Sequence, residues 1–421
     1  MPGFMKKQLH KQIGQGVKKY QRQFTKYLYE RDTIFATVWV FLFIIILGSI
    51  PLNLGNLNPI KLSLKDFDFN DMGYSNLNVR NDSLHQKIIL INIGEADRED
   101  LSLLIDKAAS FSPKIMGLDV LLSAAKDPAK DSLLSATIAR HSNLVLATRL
   151  DWNDTAVPYK KNYFSPVGKR EGYVNMLGED WSTIRLWSPV FENESRGRKK
   201  GDFYKSFSAS VVEGYDSTAF KKLMKRGNKT EIINYTRRVN RFYVIQPDQL
   251  MTDAVDSSTI KDKIVLFGYI NDNPNNIEDK KFTPMNSKFY GKTVPDMNGI
   301  VVHANMIAMA IENNYIKTVP SWLNWVIAIF VCWLHMSFFI RYYLESHIWF
   351  HLIAKIAQVA SAILFVWLGI YLFTEYRLKV DMKLSLLVIV LAVDVIYFYE
   401  AWATWMNKRY QYKTIFKSHH H

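Results

Sequence analysis

The sequence predicts an α/β external domain with a mixed, largely parallel sheet and flanking helices, joined to a helical membrane part of four transmembrane helices, one before the domain and three after it. Three observations predict this. Four segments are apolar over roughly the 18 to 20 residues needed to cross a hydrocarbon core of ~30 Å. Between the first and second of them, β-branched runs alternate with helical stretches in a β-α-β-α-β order, the pattern of a parallel sheet with helices laid against it. The net charge of +14 is also unevenly spread: eight basic against two acidic residues in positions 1–50, only +4 over 51–320, and +4 in the rest. Positive charge beside apolar segments sets orientation in a membrane. A nucleic-acid reader needs instead a basic stripe on its folded domain. The runs Arg196–Lys200 and Lys221–Arg226 read as solvated faces, so no nucleic-acid partner is expected.

Taken in order, residues 1–32 form a basic cytoplasmic segment, and "TIFATVWVFLFIIILGSI", residues 33–50, is the first span. A cleaved signal sequence is rejected, because the basic stretch before it is long and no small-x-small site follows. Residues 51–320 make the external domain. "KIILINIG" from Lys87 reads as a buried strand. "EADRED" then opens a helix over "LSLLIDKAASF", its acids suited to the positive end of the helix dipole. "PKIMGLDVLL" is the next strand, "DSLLSATIARHS" a helix with Asp131 placed to cap it, and "NLVLATRL" a third strand. "GYVNMLG", "TIRLWSPVF" and "RRVNRFYVI" read as shorter strands among turns, with a helix over "FYKSFSASVVEGY". "DKIVLFGYI" is another buried strand, and a long polar loop leads to an apolar helix that opens on His303-Ala304-Asn305. Spans over Trp322–Ile340, about Trp349–Phe373 and about Leu384–Trp405 place a three-helix bundle at 321–405. Residues 406–418 are a basic cytoplasmic tail, and 419–421 a tag remnant. Short-loop charge puts both termini in the cytoplasm and 51–320 outside. The single cysteine, Cys332, allows no intrachain disulfide. A transporter is not expected, since the spans are few and show no repeated broken-helix pair.

Within the domain, "GLDVLL" after a helix, "GYVN" followed by "TIR", "KDKIVLFG", a loop with Asp279 and Phe282-Thr283-Pro284, and "MNGIVVHAN" occur in that order. In this the chain resembles the bacterial type-2 CHASE domain, the cyclase/histidine-kinase-associated sensory extracellular domain. That family closes with a strand ending in Ile-Gly, a loop with Asp and Thr-Pro, then Pro-Gly-Val-x-x-His-Ala-Asn. Here the pattern reads Phe267-Gly268, Asp279, Thr283-Pro284 and Asn298-Gly299-Ile300-Val301-Val302-His303-Ala304-Asn305. The likeness covers residues 33–405 and shares the one-plus-three arrangement of spans. It implies a multi-pass protein of the bacterial inner membrane with a periplasmic sensory domain. Two departures stand out. The Trp-Pro-x-x-Arg stretch that follows the family's first strand is missing from Ala96–Leu103, and the chain stops about fifteen residues after the fourth span, where family members usually continue into a cyclase, kinase or other effector.

His303 begins a helix whose first turn needs polar partners. No Ser-His-Asp or metal-ligand spacing surrounds it, so a structural part is preferred to ligand contact, and ligand contact to catalysis. In that part His303 bonds the Phe282–Pro284 loop or Asp279, and Asn305 ties the loop back. Asp119 ends a strand, and ligands of open α/β sheets gather outside the carboxyl ends of strands. Asp119, the Gly268–Asp272 turn and Asp279, with Thr283, Pro284, Gly299, His303 and Asn305, are therefore the candidate ligand or motif residues, although for Asp119 a capping or loop-tying role is preferred to ligand contact. The acids Glu95, Asp97, Glu99 and Asp100 have oxygens for a divalent cation, but suit a solvated helix start better. In the spans, His335, Lys355, Asp394 and Glu400 are polar groups at a costly depth. Lys355 is expected to pair with Asp394 or Glu400 inside the bundle; contact with a partner's span is the alternative. No catalytic residue, metal or cofactor is expected, and the chain is read as non-enzymatic: a sensor or receptor subunit that passes a signal through its spans to a separate effector. The alternative is a structural subunit of an envelope complex, its external domain a protein-binding module. The bilayer and one such protein are the expected partners, and a homo-oligomer stays open.

Overall fold

The computed structural model describes residues 25–49, 68–74, 83–151, 159–178, 182–192, 203–252, 254–273, 275–286, 294–345 and 349–416. Two compact units emerge, residues 70–317 and residues 1–69 with 318–421. The principal strands are β1 (Ile88–Asn92), β2 (Ile115–Leu118), β3 (Leu144–Leu150), β4 (Tyr159–Lys160), β5 (Arg170–Tyr173), β6 (Tyr243–Ile245) and β7 (Ile264–Gly268). The helices are α1 (Arg31–Ser49), α2 (Arg98–Ser110), α3 (Pro128–Arg140), α4 (Phe207–Tyr215), α5 (Ser217–Lys225), α6 (Pro247–Met251), α7 (Gly299–Ile311), α8 (Ser321–Glu345), α9 (Phe350–Tyr376) and α10 (Lys383–Tyr410).

In residues 70–317 the seven strands form one sheet, ordered β6-β1-β7-β2-β3, with β5 and β4 both on β3. Every pairing is parallel except β3 with β4. The central strands are apolar on both faces because both are covered. Ile89, Ile91, Met116, Leu118, Val265 and Phe267 meet Leu101, Leu104 and Ile105 of α2, Leu134 and Ile138 of α3, and Leu250 of α6. On the other face Ile88, Leu90, Ile264 and Leu266 are equally buried, and α4 and α7 pack there.

One local reading needs correction. Asp131 does not cap α3. Pro128 starts the helix earlier, and Asp127 caps it by accepting from the amides of Ala129 and Lys130. Asp131 instead takes the guanidinium of Arg98 and the amide of Lys126, so it ties α2 to α3. The stretch "TIRLWSPVF" does give short strands, set apart from the main sheet: Leu186–Trp187 pairs with Glu231–Ile232, and Val190–Glu192 with Phe203–Lys205, as small antiparallel ladders.

In the other unit, α1, α8, α9 and α10 are each long and apolar enough to cross a membrane. They share a core that includes Val40, Met336, Phe339, Val393, Ile396 and Tyr399. The helices of the bundle outrun the apolar segments read from sequence, reaching Glu345, Tyr376 and Tyr410, because aromatic and basic residues continue them into the interfacial zone. The chain after α10 folds back on this core. Asp32, 1% exposed, accepts from Tyr399 Oη at 2.6 Å, Thr414 Oγ1 at 3.0 Å and the Ile415 amide at 2.7 Å. It also lies in the first turn of α1, where negative charge suits the helix dipole. Asp32→Ala should release residues 411–416, leaving buried donors unpaired at a cost of about 3 kcal/mol. Protease cleavage at Lys413 in the purified chain measures it: faster cleavage in the variant is expected, and an unchanged rate contradicts the tie.

Candidate functional site

The strand order creates the site. β1 and β2 run on into α2 and α3 on one face of the sheet. β7 lies between them and leads to α7 on the other face. Neighbouring strands that part to opposite faces open a crevice at their carboxyl ends. One wall is tied by Asn92, whose Oδ1 accepts from the amides of Gly94 (3.1 Å) and Ile270 (3.0 Å) and whose Nδ2 donates to Gln246 Oε1 (2.9 Å). Asp119 follows β2, and its amide donates to Phe267 O at 2.9 Å. Its part-buried carboxyl makes no hydrogen bond among the described residues. Burial pushes that carboxyl up to about 8; the neighbouring Asp279 adds to the rise, and Lys281 opposes it.

Asp279 is positioned by a two-residue ladder, Lys280–Lys281 against Met297–Asn298, and adopts a left-handed backbone, φ 52°. Its Oδ2 accepts from the Gly299 amide at 3.2 Å, so it caps α7 from outside the helix. Burial raises the Asp279 carboxyl, while Lys281 and the Gly299 amide lower it. The two glycines of the motif mark close approaches. A Cβ on Gly299 would stand 3.1 Å from both Asp279 carboxyl oxygens, and one on Gly268 would stand 2.7 Å from Ile300 Cβ, where α7 lies on the end of β7.

The other motif residues are structural in their contacts. Thr283 donates from Oγ1 to Asp296 Oδ2 (2.6 Å) and from its amide to Asp296 Oδ1 (2.8 Å), and Pro284 beside it is buried. His303 does not reach this loop. Its Nδ1 meets Ser208 Oγ at 2.8 Å, and its ring stands edge-on to Phe207 at 5.2 Å, joining α7 to α4. Asn305 points elsewhere again. Its Oδ1 accepts from the amides of Thr236 and Arg237, both at 3.2 Å, and its Nδ2 donates to the carbonyls of Arg237 and Val301, both at 2.9 Å.

Burial holds the His303 imidazole neutral, with its pKa lowered to about 3 and Lys281 adding to the drop. Between about 6.5 and about 3 the unfolded chain therefore binds a proton that the folded chain does not, and His303 weakens the fold as pH falls. His303→Gln should flatten the pH dependence of denaturant stability in that window by up to ~1.4 kcal/mol per pH unit. Equal slopes in the two proteins contradict this assignment.

The acids after β1 serve the start of α2. Asp97 accepts from the amides of Glu99 and Asp100, Asp100 closes the capping box, and Lys130 lies against Asp97 and Glu99. Sequence reasoning missed Asn92 and Lys281, which carry no motif signal. It also missed a cleft of about 400 Å³ past the ends of β2 and β3, lined by Leu121, Ser123, Thr148, Arg149, Lys160 and Asn162. The doublet Lys160-Lys161 was its one visible trace.

In the spans the expected Lys355–carboxylate pair does not form. Tyr343 Oη occupies Glu400 at 2.5 Å. Packing of Val393, Val395 and Ile396 into the core turns Asp394 outward, and Lys355 is exposed as well. His335 Nδ1 meets the Val331 carbonyl of its own helix at 2.8 Å.

A family model described as the CHASE2 domain matches residues 41–338. No curated protein and no solved structure matches.

Proposed function

The chain belongs to the CHASE2 domain family, and on that premise we propose that it is a non-enzymatic sensor subunit of the bacterial inner membrane. The CHASE2 domain is of the extracellular sensory type, and it comes with four apolar helices that fit a multi-pass membrane protein. In our reading, residues 51–320 face the periplasm, the termini face the cytoplasm, and a ligand state is passed through the spans to a separate effector. The carrying observation is Asp119. It lies at a topological switch point with its carboxyl unbonded among the described residues, while Asn92 at the end of the adjoining β1 and the neighbouring Asp279 are tied into the fold. An acid kept in that condition suits a ligand that supplies the missing donor or positive charge. The non-enzymatic reading is supported by Ser208 and His303. They are within hydrogen-bond distance, yet 0% and 2% exposed, and so are closed to a substrate.

Single-cysteine labelling of intact cells tests the orientation, with Cys332 replaced by alanine. Lys225→Cys should react with a membrane-impermeant thiol reagent and Lys408→Cys should not; the reverse pattern defeats the proposal. Native purification tests the role. A signalling enzyme should accompany the chain, whereas envelope-assembly subunits without one would favour the scaffold reading.

A further inference from the structure

Two charged residues inside the spans, Lys355 and Asp394, have no ion-pair partner among the described residues and lie at one depth. Gln358 Nε2 of α9 donates to the carbonyls of Ile389 (2.9 Å) and Val390 (2.8 Å) of α10. The His351 ring stacks on Tyr397 with centroids 5.9 Å apart. These contacts fix the register of the two antiparallel helices. Lys355 comes four residues after His351 and three before Gln358, which brings it level with Val393 and Asp394. Both side chains are exposed, and among the described residues neither makes an ion pair or hydrogen bond. Asp394 is also the centre of an exposed stripe on α10 made by Leu387, Val390, Phe398, Ala401 and Trp405. Its spacing of three and four residues is that of a helix-packing seam.

We propose that this face is the contact between two copies of the chain, with Lys355 of each copy paired to Asp394 of the other. The argument is charge and depth together. Copies of one sequence insert with one orientation. A twofold axis along the membrane normal keeps every residue at its own depth. A patch holding a cation and an anion at the same level is then complementary to itself, and both pairs form at once. A lone ion facing lipid is costly, and a second copy removes that cost for both charges without any other partner. This inference does not depend on the sensory reading, because it rests on the membrane unit alone.

Two differently tagged full-length copies, expressed together and extracted in mild detergent, test it. Wild-type copies should co-purify. Asp394→Lys alone, or Lys355→Asp alone, should lower recovery of the second copy at least tenfold. The chain carrying both changes restores opposite charges in both pairs and should recover the wild-type yield. A monomeric wild type overturns the proposal, as do single variants that still co-purify. Should the swapped chains fail to insert, a second measurement decides. Lys355→Cys in one copy and Asp394→Cys in the other, each with Cys332→Ala, should be joined in membranes by a short thiol cross-linker. No cross-linked species overturns the proposal.

Discussion

Replacing Asn305 with alanine is expected to destabilise the 70–317 unit by about 4 kcal/mol or more, the largest single effect in this fold. Asn305 is fully buried, and its side chain spends all its hydrogen-bonding capacity on backbone. Alanine at this position leaves the Thr236 and Arg237 amides and the Arg237 carbonyl without partners in a place water does not reach. Each such group costs roughly 1–3 kcal/mol. The Val301 carbonyl is spared, since the backbone of α7 also uses it. His303→Ala removes one hydrogen bond to a rotatable hydroxyl and should cost less, roughly 1–3 kcal/mol. Urea unfolding of the purified variants orders them. A loss at Asn305 below that at His303, or below about 1 kcal/mol, contradicts this assignment of the His-Ala-Asn motif.

That motif shows what was legible in the sequence and what was not. The helix starting at Gly299, the strands around Leu90, Met116 and Leu266, and the four apolar helices are written in local periodicity, which a sequence displays directly. The partners of His303 and Asn305 are not. Ser208 and Thr236 lie 95 and 69 residues away, and nothing in the spacing points to them. The order β1-β7-β2 is equally hidden, because helices on both faces allow a late strand to enter between two early ones. That insertion places the carboxyl end of β7 between those of β1 and β2, where Asp119 lies. In the spans, the rotation of each helix follows its apolar packing. The sequence shows Lys355, Asp394 and Glu400 at reachable depths, but only the burial of Val393 and Ile396 decides that Asp394 faces outward. Asp131 resembles a cap only as long as the helix is taken to start after it; Pro128 as the first helical residue moves the cap to Asp127.

Asp119→Asn is expected to do two opposite things. It should abolish the response to the domain's ligand, because it removes the acid that a ligand's positive charge would draw into its ionised form. It should also stabilise the fold. An acid whose carboxyl lacks a partner costs the protein stability that an amide does not, and groups kept at such a cost are usually kept for function. The ligand itself can be sought by thermal shift with small cationic and polar compounds. Those that raise the wild-type midpoint should leave the variant unmoved. A structural cap at Asp119 predicts the reverse on both counts: a weakened fold and unaltered binding.

The pH dependence of the difference in unfolding free energy between wild type and Asp119→Asn tests the central claim most directly. Burial and Asp279 raise the Asp119 carboxyl to about 8 in the folded chain, against an ordinary value of 3.8. Between those limits the folded chain holds a proton that the unfolded chain has lost. The wild type therefore loses stability as pH rises from about 4 to about 8, while the asparagine variant has nothing to ionise. Measured by urea unfolding of the purified chain, the two should be nearly equal at pH ~4, and the variant should be ahead by about 2 kcal/mol at pH ~8.5, allowing for the water that still reaches the carboxyl. A variant less stable than wild type at every pH, with no dependence of the gap on pH, would show Asp119 to be part of the framework and not of the site.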